Sequence, residues 1–400
     1  MIKVKIGLPI DDTFLSQIIY EGLLFIIGTM HTEVKLGLEE AKLPDNAFKE
    51  TLNELDSRKI ETISIVFTGN DKPEKFISSL GLSGKPEKKT YRALLKFLKK
   101  RAEKVRISKN IDLTSMMEHD RQVIDLLNKS QKPDLAAPSI MKIERYAGFT
   151  SIEETYTTRG IGLRFSPDVW MISLLGIYSS FITRTRYAGS DKDNIYFILF
   201  SPEEILTMLA RGDANYVYTL MNVKRETTET LAETLKNTYM EEAIVLQLSF
   251  NLKIANILRE YDIDRLRLSL VKVSSEGQTY KIYEHIPLTL SSETPFISSL
   301  STIFNEIDEA LGYLAKAVNP HGYLLKATSK EARNWPEKDY AIKAILALHR
   351  LASIGDVSGL RDYARYLELA VKILQGAEDK KAAIRRSYYE KLLREIAYLH

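Results

Sequence analysis

The hydrophobic period of this chain changes character once. As far as His285, segments that alternate at every second residue are interleaved with segments that repeat every three to four, and after Pro295 only the helical repeat remains. Side chains alternate between faces on a strand and return to one face every 3.6 residues on a helix, so the two patterns bury their apolar residues in different architectures. At 400 residues the chain is also too long for one ordinary core. An α+β fold is therefore expected: a mixed α/β body over residues 1–290, open to a further division near 150, followed by an α-helical bundle over 291–400.

Within the body, Ile2, Val4 and Ile6 alternate with lysines as a half-buried strand would, and a long helix should follow from Thr13. Ile60 to Thr68 reads as a strand, and Asn194 to Phe200, apolar on both faces, as a buried one. Ser201, Pro202 and Glu204 then supply an N-cap, a first-turn proline and a capping-box carboxylate. Thr227 to Tyr261 is helical in period. Asp264 to Val273 and Gln278 to His285 alternate around the turn residues Ser274 to Gly277, a hairpin pattern. Bundle helices are expected at about Ile297–Val318, Lys338–Ile354, Ser358–Gln375 and Lys380–Leu399, with Gly355 and Gly376 as C-caps and Asn319–Pro336 as an irregular, mobile connection.

Composition excludes whole classes of chemistry. With 44% hydrophobic and 27% charged residues the chain is globular, and its zero cysteines remove disulfides, thiolate metal sites and thiol nucleophiles together. The same absence fits a reducing cytoplasm, and with heavy Lys and Glu usage and 21 tyrosines it suits a thermophile. The opening MIKVKIGLPIDD shows no apolar run followed by a small-residue cleavage site, so no secretory signal is expected. Phe14 to Met30 and Val169 to Thr183 are apolar, but the first is interrupted by Glu21 and the second is too short for a bilayer. Both read as buried helices, with Gly22 and Gly28 allowing a close neighbour.

No phosphate-cradling loop is present. Arg159-Gly160-Ile161-Gly162-Leu163-Arg164 lacks the third glycine of a dinucleotide fingerprint and reads as a turn or bulge. The six histidines are scattered, with no pair at metal-ligand spacing, so no metal and no cofactor are expected. His119-Asp120 is the dipeptide of metal-dependent phosphohydrolases, without convincing further ligands; an enzyme built on it stays open as an alternative, as does a bundle that only docks partner helices.

The remaining signal is charge. Lys85, Lys88, Lys89, Arg92, Lys96, Lys99, Lys100, Arg101, Lys104, Arg106 and Lys109 are opposed only by Glu87 and Glu103, eleven minus two, in a chain of net charge +3. Pro86 and Glu87 suit a helix's first turn, and Tyr91, Leu94, Leu95, Leu98, Ala102 and Val105 recur at helical spacing. One stripe should dock on the body while the cations face outward. A merely solvated helix would intersperse Glu with Lys for pairing four residues apart. Here the repulsion is unrelieved along the sequence, and binding phosphates, with release of counterions, would offset it. A solvated surface helix, an anionic membrane and an acidic protein remain alternatives. Thr183-Arg184-Thr185-Arg186-Tyr187 adds two cations, two hydroxyls and a ring, and Lys380, Lys381, Arg385, Arg386 and Arg394 accompany Tyr388 and Tyr389 in the last helix. The candidate nucleic-acid-binding residues are therefore Lys85, Lys88, Lys89, Arg92, Lys96, Lys99, Lys100, Arg101, Arg184 and Arg186.

An α/β body, a basic helix, a C-terminal bundle and the phrase Glu21-Gly22-Leu23-Leu24-Phe25 together resemble the large subunit of the archaeal type I-A CRISPR surveillance complex, the RNA-guided Cascade. The resemblance covers most of the chain in layout and carries no catalytic motif. It implies a non-catalytic, cytoplasmic subunit that contacts guide RNA and target DNA, joins other Cascade subunits, helps to read a short flanking motif and recruits separate helicase and nuclease proteins.

Overall fold

The computed structural model describes residues 1–30, 34–69, 71–113, 117–119, 135–146, 161–186, 193–237, 241–276, 279–291, 295–376 and 379–398. The fold is α+β, with three small sheets among the described residues and a helical C-terminal region. The chain divides into two compact units, Met1–Lys224 with Arg267–Leu288 and Arg225–Leu266 with Thr289–His400.

In the first unit, strand Ile2–Lys5 lies between the antiparallel strand Glu40–Leu43 and the parallel strand Asn110–Asp112. Its alternation works as read: Ile2 and Val4 face the core and Lys3 and Lys5 face out. A second sheet orders Thr279–Ser291, Arg265–Glu276, Asp193–Phe200 and Phe181–Arg186. A third joins Met117–His119, Ile161–Phe165 and Leu135–Ala136. The Asp193–Phe200 strand is buried along nearly its whole length, and Ser201 follows it as an N-cap, its hydroxyl accepting from the Glu204 N–H at 3.4 Å. Gly212 ends that helix in left-handed geometry, φ +69°.

The two apolar segments are the helices Phe14–Met30 and Pro167–Ser180, buried on almost every side. They cross where each has a glycine: a Cβ on Gly22 would stand 1.9 Å from the Ile172 carbonyl oxygen, and one on Gly176 would stand 1.9 Å from that of Ile18. Only a hydrogen fits there, so the two backbones meet directly. No helix among the described residues is long and apolar enough to cross a membrane.

Glu21 is wholly buried beside this crossing and bonds to the ammonium of Lys224, also buried. The other carboxylate oxygen accepts the Phe200 N–H at 2.6 Å, and the ammonium faces the Ser179 and Ser180 hydroxyls at 3.4 and 3.5 Å. Each charge is thus met by a counter-charge and by dipoles, the condition under which a buried pair is tolerated. Burial lowers the Lys224 pKa, and Glu21 pulls against that shift.

Three expectations in this unit are corrected. Ile60–Thr68 is not a strand. Asp56 caps a short helix, Ser57–Thr62, by accepting from the Arg58 N–H, and only Val66 makes an isolated bridge, to Thr90. Gly162 and Arg164 stand inside a strand rather than a turn, paired with Glu118 and Ala136; Arg159 and Gly160 lie outside the described residues. The apolar helix read as far as Thr183 ends at Ser180, and Phe181–Arg186 is strand, pairing with Asp193–Phe197.

The second unit packs its core with Phe296, Leu314, Leu348, Tyr363, Leu367, Tyr389 and their neighbours. Lys338–Ile354 and Ser358–Gln375 form at the expected bounds, and Lys380–Tyr398 within one residue of them. The expected helix over 297–318 is two, Pro295–Ser301 and Ile307–Ala317, because the break inserts Phe304 into the core. Gly355 caps in left-handed geometry (φ +69°), whereas Gly376 is right-handed. The 319–336 connection is packed rather than loose: it contains the short helix Tyr323–Lys326, and Leu324, Leu325 and Ala332 are fully buried. Its end supplies Glu337, which binds the buried Arg385 guanidinium as that group lies 4.4 Å over the Trp335 ring.

Candidate nucleic-acid interface

Of the basic stretch, only Tyr91–Lys99 is α-helix, followed by a 3-10 turn at Ala102–Lys104. Pro86 and Glu87 do not begin it. Lys89 and Tyr91 are held extended by bonds to the segment before them: the Phe67 N–H donates to the Lys89 carbonyl at 3.0 Å, and the Tyr91 N–H to that of Ile65 at 3.1 Å. The helix therefore starts after Thr90, whose hydroxyl accepts from the Ala93 N–H at 3.1 Å. The inner stripe is as read for Tyr91, Leu94, Leu95, Leu98 and Ala102, which are buried, whereas Val105, at the end of the 3-10 turn, is only half-buried. Tyr91 stacks on Phe67 at 4.2 Å, and its burial pushes the phenol pKa well above the ordinary value.

The cations separate into two groups. Lys96 and Arg92 both reach Glu61, on the Ser57–Thr62 helix, the latter at 3.4 Å; the bond from Lys96, with Arg92 beside it, holds the Glu61 carboxyl below the usual range. Lys89 pairs with Glu74 at 3.7 Å, and Lys99 donates to the Leu55 carbonyl. The repulsion that looked unrelieved along the sequence is thus partly relieved by acids that lie outside the stretch, Glu61 and Glu74.

Lys85, Lys88, Lys100, Arg101, Lys104 and Arg106 form no salt bridge among the described residues; five are exposed and Arg101 is half-exposed. Five of them gather toward the helix's C-terminal end, while Lys88 lies two residues before its N-cap, Thr90. Gly84, in left-handed geometry at φ +101°, packs against the Phe97 ring, and that ring carries the Arg101 guanidinium at 3.9 Å. Gly81 (φ +74°) similarly packs against the Arg106 side chain. The Gly81–Lys85 turn thereby runs along the end of the helix from which Lys100, Arg101 and Lys104 project. Ser108 closes the stretch, its N–H donating at 3.1 Å to the buried Asp168 carboxylate. Phe97, which the sequence stripe omitted, is the ring that organises this cluster.

Arg184 is not part of it. Its guanidinium donates to the Ser64 carbonyl at 2.6 Å and binds Asp193, so it ties a strand to the preceding helix exit. Arg186 occupies a strand position opposite Asp193, and its side chain lies outside the described residues. In the last helix Arg385 is internal, paired to Glu337, and Arg386 lies 3.6 Å from Glu390.

His119 is the last residue of a strand and pairs with Ile161; its side chain and Asp120 lie outside the described residues. Among the described residues no group of three or more His, Asp or Glu could hold a metal ion.

Fold and surface together define an α+β protein that carries a group of cations with no salt bridge among the described residues. The chain belongs to the same family as an Archaeoglobus fulgidus protein described as uncharacterized, with which it is 31% identical over 403 residues covering 100% of both chains. No family model matches it.

Proposed function

We propose that this chain is a non-catalytic nucleic-acid-binding subunit that holds a phosphodiester backbone on Lys85, Lys88, Lys100, Arg101, Lys104 and Arg106. The observation carrying this reading is the division of the basic stretch: some cations are spent on acids and a carbonyl, and six form no salt bridge among the described residues, five of them gathered at the C-terminal end of a capped helix. Ammonium and guanidinium groups left unpaired in that way gain from phosphate contact and counterion release. The wider setting, a large subunit of a type I-A CRISPR complex that contacts guide RNA and target DNA in the cytoplasm and recruits a helicase and a nuclease, rests on the resemblance of layout.

The test is a salt titration of binding to random-sequence DNA and RNA. Charge reversal of Lys85, Lys88, Lys100 and Arg101 to Glu should abolish binding at moderate salt. Neutralisation to Gln should lower the log-log slope for duplex by about 0.9 for each phosphate that is no longer neutralised. Binding that persists unchanged after reversal sinks the assignment. Pull-down from nuclease-treated and untreated lysate tests the wider setting, since RNA and further proteins should be recovered only from the untreated sample.

A further inference from the structure

We infer that the exposed face of the three-stranded sheet carries a second backbone-binding row, formed by Lys35, Lys42, Lys3 and Asn110, which adjoins the end of the basic stretch and takes the phosphates of a nucleic-acid duplex. This rests on the nucleic-acid reading above and extends it to residues far apart in sequence.

The row comes from register. Lys3 is paired directly with Lys42 on one side and with Asn110 on the other, and Lys42 is paired in turn with Lys35. Directly paired residues share a face, and the neighbours of Lys3 in its strand, Ile2 and Val4, are buried, so all four side chains belong to the solvent face. Lys35 and Lys42 exchange both backbone bonds, 3.1 and 2.8 Å. The Lys42 backbone is therefore committed to Lys35, which makes Lys42 and Lys3 a non-hydrogen-bonded pair, the type whose side chains lie closer. Like charges placed directly opposite are destabilising. Among the described residues Lys3 and Lys35 have no salt-bridge partner, and Lys42 has only Glu40, at 3.1 Å.

Two residues along, the next row behaves differently. It reads Glu40, Lys5, Asp112, and Lys5 lies 3.6 Å from Asp112, so charge there is compensated inside the protein. The lysine row carries no negative charge: it offers three ammonium groups and an amide whose NH2 can donate. At about 4.8 Å between strands the four positions span roughly 14 Å, which suits a run of phosphates better than a single anion. No aromatic side chain stands in either row on which a base could stack, so the contact is to backbone rather than to unpaired bases, and a duplex, with its denser charge, is the better fit. The row adjoins the end of the basic stretch at Lys109, whose carbonyl accepts the Lys3 N–H at 2.8 Å.

The experiment is a salt titration of a random-sequence DNA duplex against the full chain in four forms. These are the parent, Lys3→Gln/Lys35→Gln/Lys42→Gln, the same three positions changed to Arg, and Lys316→Gln/Lys343→Gln/Lys372→Gln as a charge-matched control on exposed positions of the bundle. The sheet triple should lower the log-log slope by about 2.7, three phosphates at about 0.9 each, while the Arg form and the bundle control keep the parent's slope. Removing like-charge repulsion should leave the sheet triple's thermal midpoint at or above the parent's, and the Arg form keeps the test valid if it does not. An unchanged slope in the sheet triple, with parent binding still abolished by reversal of Lys85, Lys88, Lys100 and Arg101, overturns the row and leaves the functional reading standing. Equal falls in the sheet triple and the bundle control reduce the effect to net charge and also overturn it. A parent that binds no duplex overturns both.

Discussion

Substituting Gly22 by alanine sets two effects of opposite sign against each other, and the structure decides between them. In a helix interior alanine is favoured over glycine by about 1 kcal/mol, so local propensity alone makes Gly22→Ala stabilising. The new methyl, however, would stand 1.9 Å from the Ile172 carbonyl oxygen. A close C–H to carbonyl contact has its carbon and oxygen about 3.3 Å apart, so the two helices must separate by roughly 1.4 Å. Overpacking costs about 1–3 kcal/mol, and a clash with backbone, where no side chain can rotate away, belongs at the upper end. About 3 less about 1 leaves a net loss near 2 kcal/mol. The chain's two tryptophans, Trp170 in the first unit and Trp335 in the second, allow each unit to be followed alone. Urea unfolding monitored by Trp170 fluorescence in a Trp335→Phe background should show the loss. Gly312, mid-helix with nothing within 4 Å of its would-be Cβ, supplies the control: Gly312→Ala, followed through Trp335 in a Trp170→Phe background, should gain up to about 1 kcal/mol. Because Gly176 meets Ile18 reciprocally, the double variant should lose less than the sum of the singles, the first separation having made room for the second methyl. Gly22→Ala at or above parental stability would refute the direct backbone contact.

Lys224→Met strands the buried Glu21 carboxylate and should cost about 3–5 kcal/mol in urea unfolding, whereas Glu21→Gln with Lys224→Met should recover much of it; strictly additive losses would mean the pair is not coupled. Burial pushes the phenols of Tyr280 and Tyr388 up to about 12, with Asp71 adding to the first and Glu395 to the second. A raised folded pKa means stability fully present below the unfolded value of about 10 and lost as pH rises through about 12, so unfolding free energy should fall by about 1.4 kcal/mol per unit per tyrosine in that window. Tyrosinate absorbance should then show a fraction of the phenols ionising only with loss of circular dichroism; complete ionisation near pH 10 in a folded chain would contradict it. At the basic cluster, neutralising the paired Lys96 should change the duplex-binding slope less than neutralising Lys100, measured by the same salt titration, and the reverse order would show that the Glu61 pair does not hold in solution.

Helices and strands whose signals are local were legible before any tertiary information. The Ser201 cap, the buried Asp193–Phe200 strand and the Lys338–Ile354 and Ser358–Gln375 helices follow from patterns that span one element, because capping and burial periodicity act over a few residues. The failures involve partners far away. Ile60–Thr68 has strand composition, yet the Asp56 cap turns its first part into helix, and the pairing that remains for Val66 is with Thr90. That same pairing holds Lys89–Tyr91 extended and overrides the helix start offered by Pro86 and Glu87.

For function the division is similar. Sequence alone determined that charge is concentrated between Lys85 and Lys109, that Tyr91, Leu94, Leu95 and Leu98 face inward, and that no thiol chemistry exists. It could not determine which cations are free, since the acids that engage Arg92, Lys96 and Lys89 come from Glu61 and Glu74 and the one that engages Arg184 from across a strand pair. Nor could it align Lys3, Lys35 and Lys42, which are unremarkable residues in separate segments until strand register sets them side by side. Composition and periodicity are properties of a segment, whereas the pairing of charges is a property of distance, and distance between segments is decided only when the chain packs.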